Sequence, residues 1–91
     1  MSSFHIGEIH VKADQKQNLL DSFKMLTEQP GFIKHEVYQS DEDENFLTTV
    51  EEWTGPDDHK KFTESLPEGA MDAWVAMLSQ PPKISRFTKL G

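Results

Sequence analysis

Two strand-like runs joined by a polar turn are the feature that most constrains the fold of this chain. The runs are Phe32–Gln39 and Phe46–Trp53, and the turn between them is Ser40–Asn45. The first run follows a Pro-Gly breaker, and the second ends at a Trp-Thr-Gly-Pro sequence that is typical of a helix start. Aromatic and β-branched runs bounded by turn formers favour strands. The stretch therefore predicts an antiparallel hairpin.

The residues before the hairpin predict one strand and one helix. Phe4–Val11 alternates apolar and polar residues and is expected to be a strand. Asp14 is expected to cap the following helix, with Gln17 as its capping-box partner. That helix is expected to end before Pro30, and its apolar stripe consists of Leu19, Leu20, Phe23 and Leu26.

The residues after the hairpin predict two helices and a last strand. Gly55-Pro56 is expected to start the first of these helices, because proline is favoured in the first turn, and Pro67 to end it. Ser65 and Glu68 have the spacing of a capping box for the next helix. The apolar face of that helix would carry Ala70, Met71, Trp74, Met77 and Leu78, and the last strand would be Lys83–Lys89.

The resulting order, β-α-β-β-α-α-β, predicts a ferredoxin-like split βαβ fold of the α+β class. Its antiparallel sheet would carry helices on one face and leave the other face uncovered. The length of 91 residues predicts a single domain over residues 1–91. A modest hydrophobic fraction of 35% favours a partner subunit that covers the bare face.

The composition argues against several classes of partner and cofactor. Sixteen acidic against nine basic residues give a net charge of −7, which repels nucleic acid and anionic membranes. The chain has no cysteine, so thiolate nucleophiles, disulfides and thiolate-ligated metals are excluded. No apolar leader starts the chain, and we expect a cytoplasmic protein.

Motifs for metal, nucleotide or nucleophilic chemistry are missing. His5, His10, His35 and His59 have no metal-ligand spacing, so no metal site is expected. The sequence contains no G-x-S-x-G motif and no phosphate or dinucleotide loop.

Three glutamates on strands are expected to pair with basic side chains on the dimer side; they are Glu36, Glu51 and Glu52, with Lys34, Arg86 or Lys89 as partners.

An aromatic interior with few polar groups is the remaining candidate site. Trp53, Phe62 and Trp74 belong to elements that are expected to converge between the sheet and the helices. His59 shares an inward stripe with Phe62, and His35 is a second candidate for the same space. An apolar pocket with one or two titratable groups is the usual form of a small-molecule site. Plain core packing of these aromatic residues is the alternative.

The hairpin also resembles a known family. Pro-Gly ahead of Phe-x-x-x-Glu-x-Tyr-x-Ser, an acidic turn, Asn-Phe and then Glu-x-Trp resembles the antibiotic biosynthesis monooxygenase (ABM) family. The resemblance implies a dimeric α+β barrel, in which the uncovered sheet faces of two subunits pair. It further implies oxidation of small electron-rich phenols, quinols or anthrones by O₂ without metal, flavin or haem.

The resemblance also implies site residues. Some members place a Trp at the end of the third strand, a polar residue four positions earlier and an acid–base aromatic six positions later; here these are Trp53, Thr49 and His59. Many members carry His where this chain has Phe62. The haem-degrading branch is disfavoured, because no His follows His59. An isomerase branch that acts on a phosphorylated sugar would need Lys34 or Arg86 turned inward.

Two functions therefore stay open. The first is a cofactor-independent monooxygenase with His59 as general base, Trp53 and Trp74 stacking on the substrate, and Thr49 hydrogen-bonding a ring oxygen. The second is a non-oxygenase member of the same fold, either a small-ligand binder or an isomerase. Oxygen uptake with a panel of quinols separates them.

Overall fold

The computed structural model describes residues 2–91 and contains a four-stranded antiparallel sheet. The strands are β1 (Ser3–His10), β2 (Phe32–Gln39), β3 (Phe46–Trp53) and β4 (Lys83–Thr88). Their order in the sheet is β2-β3-β1-β4, with every neighbouring pair antiparallel. The two outer connections cross over through helices, so the architecture is the ferredoxin-like α+β fold that the sequence predicts.

The helical segments are shorter than the apolar stripes suggest. The first crossover comprises a 3₁₀ turn (Ala13–Gln15), helix α1 (Lys16–Ser22) and a second 3₁₀ segment (Phe23–Glu28). The second comprises α2 (Pro56–Ser65) and α3 (Ala70–Ala76). Across residues 2–91, no helix is long and apolar enough to span a membrane.

Both predicted capping boxes are wrong. Asp14 lies inside the first 3₁₀ turn and makes no capping hydrogen bond, while Gln17 Nε2 donates to Asp21 at 3.0 Å. Helix α3 begins after its N-cap residue Gly69, which has a φ of 84°, and no side chain donates or accepts a capping hydrogen bond there. Ser65 Oγ instead donates to the Phe62 carbonyl at 2.7 Å. In both cases the helix begins later than the sequence spacing implies, so the capping residue is out of reach of the first free N–H groups.

The core lies between one sheet face and the helices. Ile9, Leu19 and Leu47 are at most 1% exposed, and Val11 and Leu78 complete the buried cluster. The predicted inner face of the last helix is partly confirmed. Trp74 and Met77 pack against this cluster, whereas Met71 is 46% exposed.

The other sheet face is not covered by any element among the described residues, and we call it the open face. Strand alternation places on it the side chains of Phe4, Ile6, His10, Tyr38, Phe46, Val50, Glu52 and Phe87, with others. Tyr38 and Phe87 are 53% and 52% exposed, and the rings of His10 and Phe46 stack at 4.3 Å. The open face therefore combines apolar rings with charged side chains.

Candidate functional site

A row of polar side chains crosses the helix-facing side of the sheet. The strand register aligns His35 of β2 with Glu51 of β3, Glu51 with His5 of β1, and His5 with Arg86 of β4. Directly paired residues of antiparallel strands project to the same face. All four side chains therefore leave the sheet on the side that also carries the apolar core.

Helix α2 places His59 over this polar row. The imidazole rings of His59 and His5 stack with centroids 3.7 Å apart and planes 20° from parallel. His59 Nε2 lies 4.0 Å from Glu51 Oε1, too far for a hydrogen bond but close enough for a charge interaction. The side chains of His59 and Glu51 are 27% and 18% exposed. The three groups form a half-buried acid–base cluster.

The start of α2 is tied to the sheet, and this fixes the position of His59. The backbone N–H of Thr54 donates to the Gly31 carbonyl at 2.8 Å, and Thr54 Oγ1 donates to the Asp58 carboxylate. A Cβ on Gly31 would clash with Cβ and Cγ of Asp58, and the φ of 80° at Gly31 also favours glycine. Pro56 then opens the helix, as the sequence predicts.

Trp53 forms the wall behind the cluster. It is fully buried, and its Nε1 donates to Glu51 Oε1 at 3.0 Å. Its ring meets His59 edge-on at 5.4 Å and stacks on Phe62 at 5.6 Å. Glu51 is thereby held between an indole N–H and an imidazole.

Burial shifts the pKa values of the cluster so that each group favours its neutral form. Burial, and then the neighbouring His59 and Arg86, lower the pKa of His5 from 6.5 to about 4. Burial, and then the charge of Arg86, lowers the pKa of His59. Burial raises the pKa of Glu51, although the hydrogen bond from Trp53 opposes the rise. Both imidazoles of the stack therefore favour the neutral form, and positive charges on both rings, 3.7 Å apart, would be strongly disfavoured.

The structure brings some of the sequence-predicted site residues together and separates others. His59, Trp53 and Phe62 are in mutual contact. Thr49 is 4% exposed and lies two residues before Glu51 on the same face of β3. A Cβ on Gly7 would lie 2.8 Å from Thr49 Oγ1, so the missing side chain of Gly7 makes the space that Thr49 occupies.

Among the described residues, the ring contacts of His59 include neither Trp74 nor His35. Trp74 packs against the buried core cluster. The ring of His35 tilts against Phe23 with centroids 4.6 Å apart, and burial lowers the pKa of His35. Nε2 of His35 and Nε2 of His5 are both buried and have no hydrogen-bond partner among the described residues. Both ring nitrogens are therefore buried polar groups that the described residues leave unsatisfied.

Three members of the polar row were missed or misplaced by the sequence interpretation. Glu51 was expected on the dimer side with a basic partner, but it faces the helices and accepts from Trp53. Outside the polar row, Glu36 lies on the open face and pairs with Lys34 of its own strand at 3.3 Å instead of across strands. A signal for Glu51 was present, because it has the same strand parity as the inward-facing Trp53. His5 and Arg86 required the strand register.

A groove lies near the start of α2, but it does not contain His59. An open groove of about 450 Å³ lies at the start of α2, lined by Ser2, Ser3, Pro56, Arg86, Phe87 and Thr88. His59 is not among these lining residues; its imidazole sits half-buried beside Glu51 and His5. Within residues 2–91, no three His, Asp or Glu side chains are arranged to hold a metal ion.

Comparison with known proteins agrees with this architecture. The model of the family described as antibiotic biosynthesis monooxygenase matches residues 3–77. The chain belongs to this family. The matched residues include His5, His35, Glu51 and His59, whereas Arg86 lies beyond the match. No protein of curated function matches the chain.

Solved structures share the fold at low sequence identity. A conserved protein from Methanosarcina mazei Go1 is 21% identical, with 99% of this chain and 94% of that chain covered and a TM-score of 0.83. A mutant of SnoaB, a cofactor-independent oxygenase from Streptomyces nogalater, is 17% identical, with 97% and 92% covered and a TM-score of 0.80. The ActVA-Orf6 monooxygenase of Streptomyces coelicolor, in complex with Nanaomycin D, is 18% identical, with 99% and 88% covered and a TM-score of 0.78.

Proposed function

We propose that this protein is a cofactor-independent monooxygenase that acts on a small aromatic substrate of the quinol, phenol or anthrone type. The observation that carries the proposal is the half-buried stack of His59 on His5 beside Glu51. A general base must be unprotonated at the working pH, and the lowered pKa of His59 supplies that condition. Membership of a monooxygenase family agrees with this chemistry.

The proposed reaction begins with a proton transfer. His59 takes a proton from the substrate, and the anion that remains gives electrons to O₂. A bond forms between a ring carbon and oxygen, and the resulting peroxide anion takes the proton back from His59. Loss of the hydrogen on that ring carbon and cleavage of the O–O bond then release water. One oxygen atom stays in the product as a quinone oxygen, and the other leaves as water. The substrate supplies all the electrons, so no external reductant is needed.

Each neighbour of His59 has a proposed part in this reaction. The carboxylate of Glu51 stabilises the imidazolium that forms 4.0 Å away. Trp53 holds Glu51 through its indole N–H and, with Phe62, keeps water from the cluster. Thr49 and His35 are proposed to bind ring oxygens of the substrate, and Trp74 to close the apolar end of the site. The free Nε2 of His35 supports that role.

We further propose that the protein works as a homodimer. The open face carries exposed Tyr38 and Phe87 together with half-buried Phe4, Ile6 and Val50. A sheet that leaves such side chains in water gains from pairing with a second copy of itself. Two paired open faces would complete the dimeric α+β barrel that the resemblance implies.

A second function of a different class uses the same groups. The protein would bind a small ligand without oxidising it, or isomerise it by moving a proton between two carbons. The observation that favours this alternative is Arg86, which turns toward the helix-facing side of β4 and offers a charge for an anionic ligand. Lys34 lies on the open face with Glu36 and does not offer one.

Oxygen uptake tests the proposal and separates the two functions. Wild-type protein is mixed with a panel of quinols and anthrones in the presence of a metal chelator, and isotopically labelled O₂ is followed into the product. We expect label in the product and a rate that falls about 10²–10⁴-fold in His59→Gln. Lys60→Gln, on the exposed side of the same helix, is the matched control and should keep full activity. No uptake across the panel would leave the binding or isomerase function, and an active His59→Gln would remove His59 as the base.

A further inference from the structure

Arg86 is a cation that this acidic chain leaves without an acidic partner. It is exposed on β4, and its register with His5 puts it on the helix-facing side of the sheet. Among residues 2–91, the ion pairs join other side chains, and no carboxylate lies within 4.0 Å of its guanidinium. In a chain with sixteen acidic residues, this leaves the donors of the guanidinium free for an anion from outside the chain.

The groove at Arg86 has the lining that an anion requires. None of its lining residues is acidic, and they carry three hydroxyl groups besides the guanidinium; the lining is Ser2, Ser3, Pro56, Arg86, Phe87 and Thr88. Hydroxyl and guanidinium groups donate hydrogen bonds to carboxylate oxygens. The volume of about 450 Å³ is within the range of small-molecule sites.

Arg86, which lines the groove, has an apolar neighbour along β4 and the acid–base cluster across the strands. Ile84 precedes Arg86 by two residues on the same side of β4, at a separation of about 7 Å, and is 53% exposed. In the other direction, the positive charge of Arg86 reaches the cluster, since it lowers the pKa of both His5 and His59. An aromatic ring on Ile84 with an anionic substituent at Arg86 would lie along β4 beside the cluster.

We propose that the groove at Arg86 binds the carboxylate of an aromatic acid, so that the ligands of this site are ring compounds with an attached carboxylate. A single guanidinium matches one carboxylate in charge and in its two-pronged geometry, whereas a phosphate dianion would call for a second cation. The assignment of a substrate class rests on the proposed monooxygenase function, whereas the existence of the carboxylate-binding site does not.

Titration calorimetry with ligands that O₂ does not oxidise tests the groove apart from the reaction. The probes are naphthoate, naphthylmethanol and naphthyl phosphate, which share a ring and differ in charge. Wild-type protein should bind naphthoate about tenfold more tightly than naphthylmethanol, the value of roughly one charge-assisted hydrogen bond. Arg86→Gln should abolish this preference, and Arg86→Lys should keep part of it. Lys83→Gln, which removes a charge from the open-face side of the same strand, should leave it unchanged.

Several results would overturn the proposal. They are no binding of naphthoate by wild-type protein, equal affinity for the acid and the alcohol, a preference that survives in Arg86→Gln, or equal loss in Lys83→Gln. A naphthyl phosphate affinity tenfold above that of naphthoate would reassign the groove to phosphate. Circular dichroism confirms that each variant folds, and Arg86→Lys keeps the test valid if Arg86→Gln does not. Failure of the quinol oxidation assay would leave all these binding results intact.

Discussion

Replacing His5 should make the protein more resistant to acid, although the residue is buried in the core. Burial, with the neighbouring His59 and Arg86, lowers the pKa of His5 from 6.5 to about 4, so the folded protein resists a proton that the unfolded chain accepts. Between those two pH values the unfolded state binds more protons, and the free energy of unfolding therefore falls as the pH falls. Above about pH 6.5 the effect is absent, and below about pH 4 it is complete.

The magnitude follows from the same two values. The difference between 6.5 and about 4 corresponds to a ceiling of about 3.4 kcal/mol, at about 1.36 kcal/mol per pH unit. His5 itself is 4% exposed, but it stacks on His59, which is 27% exposed, so water reaches the edge of the stack. This screening reduces the expected loss to about 2 kcal/mol.

His5→Gln isolates this contribution, because glutamine carries no charge at any of these pH values. Urea unfolding is followed by tryptophan fluorescence from neutral pH down to about pH 4.5, at one protein concentration so that association is held fixed. The wild-type protein should lose about 1.5 kcal/mol more than His5→Gln over this range, since the loss is complete only below about pH 4. Identical pH dependence in wild type and His5→Gln would refute the reasoning.

Three further predictions concern the site and the assembly. Glu51→Gln should lower quinol turnover about tenfold, since a charge pair near 4 Å is worth about 1–4 kcal/mol; Glu52→Gln, on the open face, should keep the turnover of the wild type. Glu51→Gln should also remove the loss of stability that the raised pKa of Glu51 causes as the pH rises. Gly7→Ala should cost about 1–3 kcal/mol of unfolding free energy, because its Cβ would lie 2.8 Å from Thr49 Oγ1. Adding Thr49→Ala to the same chain should recover part of this free energy. Equal costs of Gly7→Ala with Thr49 and with Ala at position 49 would contradict the clash. Sedimentation should give a dimer at micromolar concentration, and a stable monomer would contradict pairing through the open face.

The hairpin and the start of α2 could be predicted because their causes are local. Turn formers bound β2 and β3 on both sides, and the structure has both strands at the predicted residues. Pro56 opens α2 for a similar reason, since its fixed φ suits a first helical turn. The same local pattern carries the family resemblance, which the family match confirms.

The capping boxes show where local pattern is insufficient. Spacing alone allows Asp14 and Ser65 to cap helices, yet packing of the crossover segments delays both helix starts. The energy of one capping bond, about 1 kcal/mol, is smaller than the energy of placing Leu19 and Leu26 in the core. Tertiary packing therefore decided these helix boundaries.

By itself, the sequence determined the fold class, the hairpin and the family, because strand alternation, turn chemistry and helix stripes act over a few residues. The tertiary structure alone decided the site. His5 and His59 stack because the β1–β3 register and the tie of α2 to Gly31 bring together residues that are far apart in the chain. The β1–β4 register likewise turns Arg86 toward the helix side. Contacts that depend on long-range register leave no local pattern, and for that reason the acid–base cluster became visible only in three dimensions.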